Sequence, residues 1–332
     1  MARMSATSEL SGGVSRWLLR KLFGMLLTML AVSFLVFAVL ELNVDDVAVK
    51  VLGQFSTADQ RHAWLVQNGY TAPFLWRYLR WIGEFVTGHW GTSTYYREDV
   101  LTLIAPRLAA SGLLAGAALL VIVPLGLVMG VIAGMREGSF VDRLVSVFAV
   151  VTTSIPEFAS AVFLTSLFVF WLGWLPGVST MADGFHLREL VLPVSVLTLY
   201  SAGYVARMTR SSMVEVMQSP YIRTARLKGN SMRRIIVRHA LRNALITPVT
   251  VIMLQIPWLM SGVIVVEVFF AYQGFGTLLY QAALNTDIYL IEACTMISVV
   301  VVVLTQVASD LLYTWLNPRM SIRTARTAAG TK

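Results

Sequence analysis

Between Arg207 and Arg242 nine lysines or arginines stand against one acid, and the densest stretch is YIRTARLKGNSMRRIIVRHALRN, from Tyr221 to Asn243. Charge at this density holds a segment in water, on the side facing anionic lipid and soluble partners, so the chemistry on offer is docking. Two readings stand: a connector that binds lipid head groups, and a protein-docking surface. Three details favour the second. The stretch is helix-forming, with only Pro220 near its start and Gly229 as an interruption, so it should be ordered. Ala225 stands one helical turn before Gly229, a spacing that predicts a flat patch where another protein approaches closely. Arg223, Arg226, Arg233, Arg234, Arg238 and Arg242 are too far apart to share one helix face, which predicts two short helices broken at Gly229.

The other polar candidates lie within apolar runs. Glu157 follows Pro156, about 14 residues and hence about 21 Å into a hydrophobic stretch at about 1.5 Å per residue. Proline frees a backbone carbonyl at that depth, so the pair could form a polar kink facing a cavity or could satisfy neighbouring helices. Glu267 and Glu292 lie near the ends of their runs, where snorkelling to water is the simpler expectation, and Asp310 lies where pairing with a local arginine is expected. The histidines, His62, His89, His186 and His239, have no metal-ligand spacing, and no Gly-x-Ser-x-Gly or His-Glu-x-x-His element occurs. No Gly-x4-Gly-Lys-Ser/Thr loop occurs either, so the chain is not expected to hydrolyse nucleotides or to act as an enzyme. Cys294, the one cysteine, cannot build a disulfide framework.

These groups must be held by membrane helices. The chain has 332 residues, 57% hydrophobic and 13% charged, with mean hydropathy +0.70, too little polar surface for a water-soluble globule of its size. The net charge of +8 lies in short loops beside apolar runs, which argues against nucleic acid. About 20 mainly apolar residues cross a bilayer. Six such spans are predicted, making an all-α integral membrane protein: residues 22–40, 108–134, 144–172, 190–208, 245–269 and 289–315. The first is read as an anchor and not as a cleaved signal peptide.

With both termini in the cytoplasm, 19 of the 26 basic residues lie inside, and six of the other seven belong to the long segment 41–107, which translocates regardless of charge. The expected organisation is a cytoplasmic N-terminal segment, 1–21; a first helix, 22–40; an external cap, 41–107; a five-helix core, 108–316, containing a cytoplasmic loop, 207–244; and a basic, disordered tail, 317–332. Within the cap, Ser56 to Asn68 reads as an amphipathic helix, Pro73 opens a second, and GHWGTS at Gly88 to Ser93 is turn-like. The aromatic residues near span ends read as interfacial anchors, and no tandem repeat is visible.

RTARLKG followed by RHALRNA resembles the cytoplasmic loop of binding-protein-dependent ABC transporter permeases, in the dipeptide, oligopeptide and nickel branch. That pattern is Glu-Ala-Ala, three residues, Gly, nine residues, Ile-x-Leu-Pro. Ala225, Gly229 and Leu241 match it, while Arg223, Thr224, His239 and Arg242 replace its Glu, first Ala, Ile and Pro. The resemblance extends to AGMREGSFVDR (Ala133 to Arg143), SIPEF (Ser154 to Phe158), YVARMTRSSMVEVM (Tyr204 to Met217), GVIVVEVFF (Gly262 to Phe270) and SDLLYTWLNPR (Ser309 to Arg319). Two departures, ELNVDD at Glu41 to Asp46 and Tyr272-Gln273 before Gly274, lie on the external side.

The resemblance implies a type I importer permease of the bacterial inner membrane. It would form the path with a second permease, a homologue in a heterodimer, driven by two cytoplasmic ATP-binding subunits and served by an external substrate-binding protein. ATP and magnesium would act on those partners, with no cofactor on this chain. The coupling loop would comprise Tyr221, Arg223, Thr224, Ala225, Arg226, Lys228, Gly229, Arg238, His239, Leu241, Arg242 and Asn243. Ala225 and Gly229 would supply close fit, Arg226 and Lys228 charge pairing, and Arg238, His239, Arg242 and Asn243 attachment to the adjoining spans. Pro156 and Glu157 are the candidate path residues. The alternative class is a stand-alone secondary transporter or channel, which needs broken helices and ionisable groups, and only Pro156 with Glu157 offers them.

Overall fold

A computed structural model of the chain describes residues 23–41, 44–181 and 184–316. The predicted N-terminal segment, the basic tail and the assignment of both termini therefore fall outside the described residues. Those residues are helical throughout, apart from turns and one isolated bridge, Thr92 to Asp99. In chain order the helices are α1 (Phe23–Glu41), α2 (Val44–Leu52), α3 (Ala58–Gln67), α4 (Phe74–Thr87), α5 (Val100–Met135), α6 (Phe140–Ser154) and α7 (Glu157–Thr165). They continue with α8 (Leu187–Met217), α9 (Pro220–Leu227), α10 (Met232–Ile235), α11 (Leu241–Ala244), α12 (Ile246–Gly262), α13 (Ile264–Phe269), α14 (Phe275–Leu284) and α15 (Ile288–Leu316). A π-helical turn, Ser166–Trp171, prolongs α7, and another, Ile236–Ala240, joins α10 to α11.

Helices α1, α5, α8 and α15 are long and apolar enough to cross a membrane by themselves. Two further spans exist only as bent pairs: α6 with α7 and its π turn, at 104°, and Met232–Ala244 with Ile246–Leu259, at 48°. The predicted third span is therefore broken, at the proline where a kink was expected. Pro156 offers no N–H and pushes Ile155 into an extended conformation (φ −86°, ψ 125°), which ends α6, and α7 starts at Glu157. The depth expected for Glu157 assumed a continuous helix and no longer applies. The helices also overrun their predicted ends: α5 starts at Val100, and α8 continues to Met217, carrying Arg207 and Arg210 on rigid helix.

The described residues fall into two compact units. One comprises the chain up to Arg107 together with Leu278–Val307. Here α3 begins with a capping box from Thr57 and Gln60, and α4 follows Pro73, as the sequence indicates, whereas α2 is an addition. Asp287 fixes the turn before α15: its buried carboxylate accepts bonds from Ser93 Oγ (2.5 Å) and from the Tyr95 N–H (3.1 Å). Gly91, at φ +80°, lies so close to the Tyr289 ring that a Cβ would sit 3.2 Å from it.

The other unit comprises Leu108–Thr277 and Ala308–Leu316. Its core is made by Leu114, Ala118 and Ile122 of α5, Leu192, Val196, Leu197 and Val205 of α8, and Leu259 and Val266 of α12 and α13. Gly126, Gly130 and Gly134 form a stripe on α5 that lets it lie against α8. A Cβ at Gly126 would stand 2.8 Å from Val205 Cβ, one at Gly134 2.6 Å from Met213 Cβ, and one at Gly130 would collide with Thr209. Close approach of backbones is the main source of van der Waals packing between apolar helices, where lipid offers no hydrophobic drive for their association.

Glu267 corrects the snorkelling expectation. Its carboxylate is fully buried, accepting from the Ser111 hydroxyl and from the Thr277 N–H (2.9 Å), while Ser111 Oγ accepts from the Phe275 N–H (2.7 Å). Gly274 leaves room for it, since a Cβ there would overlap the carboxylate. Nearby, Tyr272 donates to the Ala110 carbonyl (2.7 Å), and burial, with a smaller effect of Glu267, pushes its phenol up to about 12, so it remains a donor. Glu292 is likewise buried, on α15 of the first unit. An unpaired carboxylate in an apolar setting is costly, so backbone and hydroxyl donors gather around Glu267 where the fold cannot offer water.

Candidate coupling site

The basic region is a folded element and not a flexible loop. Pro220 occupies the first turn of α9, where its missing N–H costs nothing. The helix then presents two faces. Ile222 and Ala225 are buried, while Tyr221, Arg223, Thr224, Arg226, Leu227 and Lys228 are exposed. Gly229 ends it in the left-handed region at φ +75°, and Asn230 returns to the Ala225 carbonyl through its backbone N–H (3.4 Å) and its side-chain amide (3.1 Å). The break expected at Gly229 lies here, between Leu227 and Met232.

Ile222 and Ala225 belong to a small core with Met213 of α8, Ile235, Ala240 and Ala244, flanked by Met135, Met217 and Leu241. Ser212 Oγ donates to the Ala244 carbonyl (2.8 Å), and Asn243 Nδ2 donates to the Tyr221 hydroxyl (3.0 Å). The end of α8 is fixed in turn by Arg210, whose guanidinium grips Asp142 of α6 through two bonds of 2.8 Å. Gln218 donates to Glu137 (3.1 Å).

Within this chain two of these residues have a visible packing or backbone role. Ala225 is turned inward, and its small size serves the packing of α9 on its own chain. Gly229 is needed for its backbone angle, and the space where its Cβ would project is open. Attachment to the spans comes from Ser212, Asn243 and the buried apolar residues, while Arg238 and Arg242 are exposed and His239 is half-covered. Leu241 packs at the edge of the core. What remains outward is a cationic surface of Arg223, Arg226, Lys228, Arg233, Arg234, Arg238 and Arg242, with Leu227 81% exposed among them. Sequence reasoning passed over Leu227, whose signal is a bulky apolar residue on the polar face of a short helix. It also passed over the glycine stripe, legible as Gly-x3-Gly-x3-Gly.

Pro156 and Glu157 lie apart from this surface, at the break between α6 and α7, where Pro156 is exposed and Glu157 half-buried. A glutamate in the first turn suits the positive end of the α7 dipole. No group of three or more histidine, cysteine or acidic residues suited to a metal is found among the described residues.

Long apolar helices, broken spans and a rigid cationic element define a polytopic membrane protein with one strongly basic face. Residues 126–322 match the family model described as binding-protein-dependent transport system inner membrane component. The chain is 35% identical over 296 residues to a putative peptide transport system permease protein of Brucella abortus, covering 88% of this chain and 94% of that one. It is 30% identical to the oligopeptide transport system permease protein AppB of Bacillus subtilis, over 92% and 99% of the two chains. Among solved structures it is similar to a chain of the MetNI methionine ABC transporter in inward facing conformations, at TM-score 0.49 and 19% identity, covering 63% and 92%. The chain belongs to the binding-protein-dependent inner-membrane transport family. It is a multi-pass inner-membrane permease subunit, a transport component and not a catalytic one.

Proposed function

We propose that this chain is one of two permeases in an ATP-driven importer of peptides, with six spans counting each bent pair as one, and with the α9–α11 face in the cytoplasm. The peptide assignment follows from the names of the relatives, and the orientation from the distribution of basic residues. Two ATP-binding subunits, which carry ATP and magnesium, dock on the α9–α11 face, and an external binding protein delivers the cargo.

One observation carries this reading. α9 is welded to its own chain by Ile222 and Ala225 while it offers Leu227, ringed by Arg223, Arg226 and Lys228, to the outside. Transmission of a rigid-body shift requires a stiff element joined to the membrane helices. An exposed apolar anchor within a charged rim is the pattern of a docking site, in which the charges steer encounter and the anchor holds.

Co-purification tests it. The tagged chain should bring down an ATPase from its native membrane, and Leu227→Glu should lose that ATPase while leaving the amount of membrane-inserted chain unchanged. If the wild-type chain purifies alone and transports solute in proteoliposomes without ATP, the stand-alone transporter replaces this reading.

A further inference from the structure

Helix α4 lies in the segment that sequence places in water, yet its contacts lie along a membrane span. Phe74 and Tyr78 meet Phe34 edge to face at centroid distances of 5.7 and 5.3 Å, and Phe74, Tyr78 and Trp81 surround Phe37 at 5.3, 5.6 and 5.4 Å. The Tyr78 hydroxyl lies 2.7 Å from Ser33 Oγ and donates to the Leu30 carbonyl at 3.2 Å. Leu30 precedes Glu41, the last residue of α1, by eleven positions, or about 16 Å of helix at about 1.5 Å per residue. The hydrocarbon is about 30 Å thick. Tyr78 thus reaches the middle of a helix that crosses the bilayer, and α4, at 14 residues, is too short to cross it as well.

The rest of α4 divides into two faces. Arg80 and Glu84 pair at 2.9 Å along one, both well exposed. Beside the α1 contact runs an uncovered strip of Leu75 (61% exposed), Leu79 (51%) and Val86 (79%), spaced i, i+4 and i+11, bordered by Trp76. Phe34, which touches α4, is itself 44% exposed, and Leu30 one turn before it is 43% exposed, so the span and α4 both carry uncovered apolar surface around their contact. Arg77, on the α1 side, does not contradict this, because it meets Glu41 at 3.2 Å with little exposure of either side chain.

We propose that α4 is a lipid-anchored helix lying in the membrane, its Leu75, Leu79 and Val86 strip immersed in acyl chains and its Arg80 and Glu84 turned to the head groups. The leaflet is the one holding the C-terminal half of α1, the outer one in the orientation proposed above. An amphipathic helix of this composition binds an interface by its buried apolar area. The packing of α4 on a span whose own apolar residues are uncovered argues for lipid as the occupant, because lipid is what covers a span's free face.

Site-directed spin labelling tests this in the chain purified with its accompanying subunits and reconstituted into nanodiscs of phosphatidylethanolamine and phosphatidylglycerol. Nitroxides are placed at Leu75→Cys, Leu79→Cys, Val86→Cys, Arg80→Cys and Glu84→Cys. Buried Cys294 stays in place, and the unsubstituted chain measures its background. Labels at 75, 79 and 86 should respond to oxygen several-fold more than to a water-soluble nickel chelate, with the reverse at 80 and 84. Ready access of the chelate to 75, 79 and 86 would show the strip in water and overturn the proposal. Shielding of these positions from both reagents would also overturn it, by showing a protein partner on the strip. Because the response depends on the lipid contact alone, it separates this proposal from the docking of ATPases on α9.

Discussion

Arg210 and Asp142, 68 positions apart, form a two-pronged ion pair, Nε to Oδ1 and Nη2 to Oδ2, each at 2.8 Å, that locks the end of α8 to the start of α6. Asp142 also accepts from the Gly138 N–H at 2.9 Å, so one carboxylate holds both the α5–α6 turn and the helix that leads into the proposed coupling site. The Asp142 side chain is 5% exposed, and removing its charge strands a guanidinium only partly reachable by water. Asp142→Asn should cost about 2 kcal/mol, the usual scale for a hydrogen bond to a charged group. Arg210→Lys should lose one of the two prongs and cost less. The thermal unfolding midpoint of the purified protein should fall in that order, and equal midpoints for both variants and wild type would exclude the pair as a structural tie.

The glycine stripe makes a position-specific prediction within one helix. Gly130→Ala should destabilise by about 1–3 kcal/mol, because the added methyl meets Thr209 and the Ala206 carbonyl and α5 must move off α8. Gly116→Ala on the same helix meets nothing within 4 Å and should be neutral or slightly stabilising. Comparison of folded yield and unfolding midpoint for the two variants checks this, and equal losses would refute close packing as the reason for the stripe.

Glu267 should tolerate charge removal better than loss of its polar atoms. Glu267→Gln keeps an acceptor for one of the donors Ser111 and Thr277, whereas Glu267→Leu leaves both without it. Each stranded buried donor costs about 1–3 kcal/mol. The leucine variant should therefore give markedly less folded protein than the glutamine one, read as the monodisperse fraction on size exclusion. If leucine performs as well as glutamine, the carboxylate network does not hold this turn.

Gly229 offers a test of backbone conformation apart from contact. Asparagine enters the left-handed region more readily than β-branched residues do, so Gly229→Asn should retain most ATPase co-purification, while Gly229→Val should lose it by disordering the end of α9. Limited proteolysis should show new cleavage near residue 229 in the valine variant only. Equal loss of ATPase without new cleavage would mean that the glycine is needed for contact.

Among the described residues, the chain's apolar runs located the four helices long and apolar enough to cross a membrane and both bent pairs, since transfer of apolar residues into hydrocarbon is nearly additive along the sequence. Local chemistry was legible as well: the amphipathic helix read from Ser56 to Asn68, Pro73 before α4, and the break at Gly229, each set by residues within a turn or two of the place where it acts. The break at Pro156 was marked too, because a proline acts on its own backbone, but its 104° angle was not.

Direction, by contrast, depended on neighbours far away in sequence. Ala225 looked outward until the core from Met213 to Ala244 claimed it, and Glu267 looked solvated until Ser111, 156 positions earlier, came against it. α4 looked like part of a watery cap until Tyr78 was found beside Leu30. Sequence determined which segments are apolar, charged or unable to stay helical, because those properties belong to single residues and short windows. Only the tertiary structure decided which face of each segment is covered, because coverage is a property of pairs of surfaces, and the partner surface is supplied by a different part of the chain.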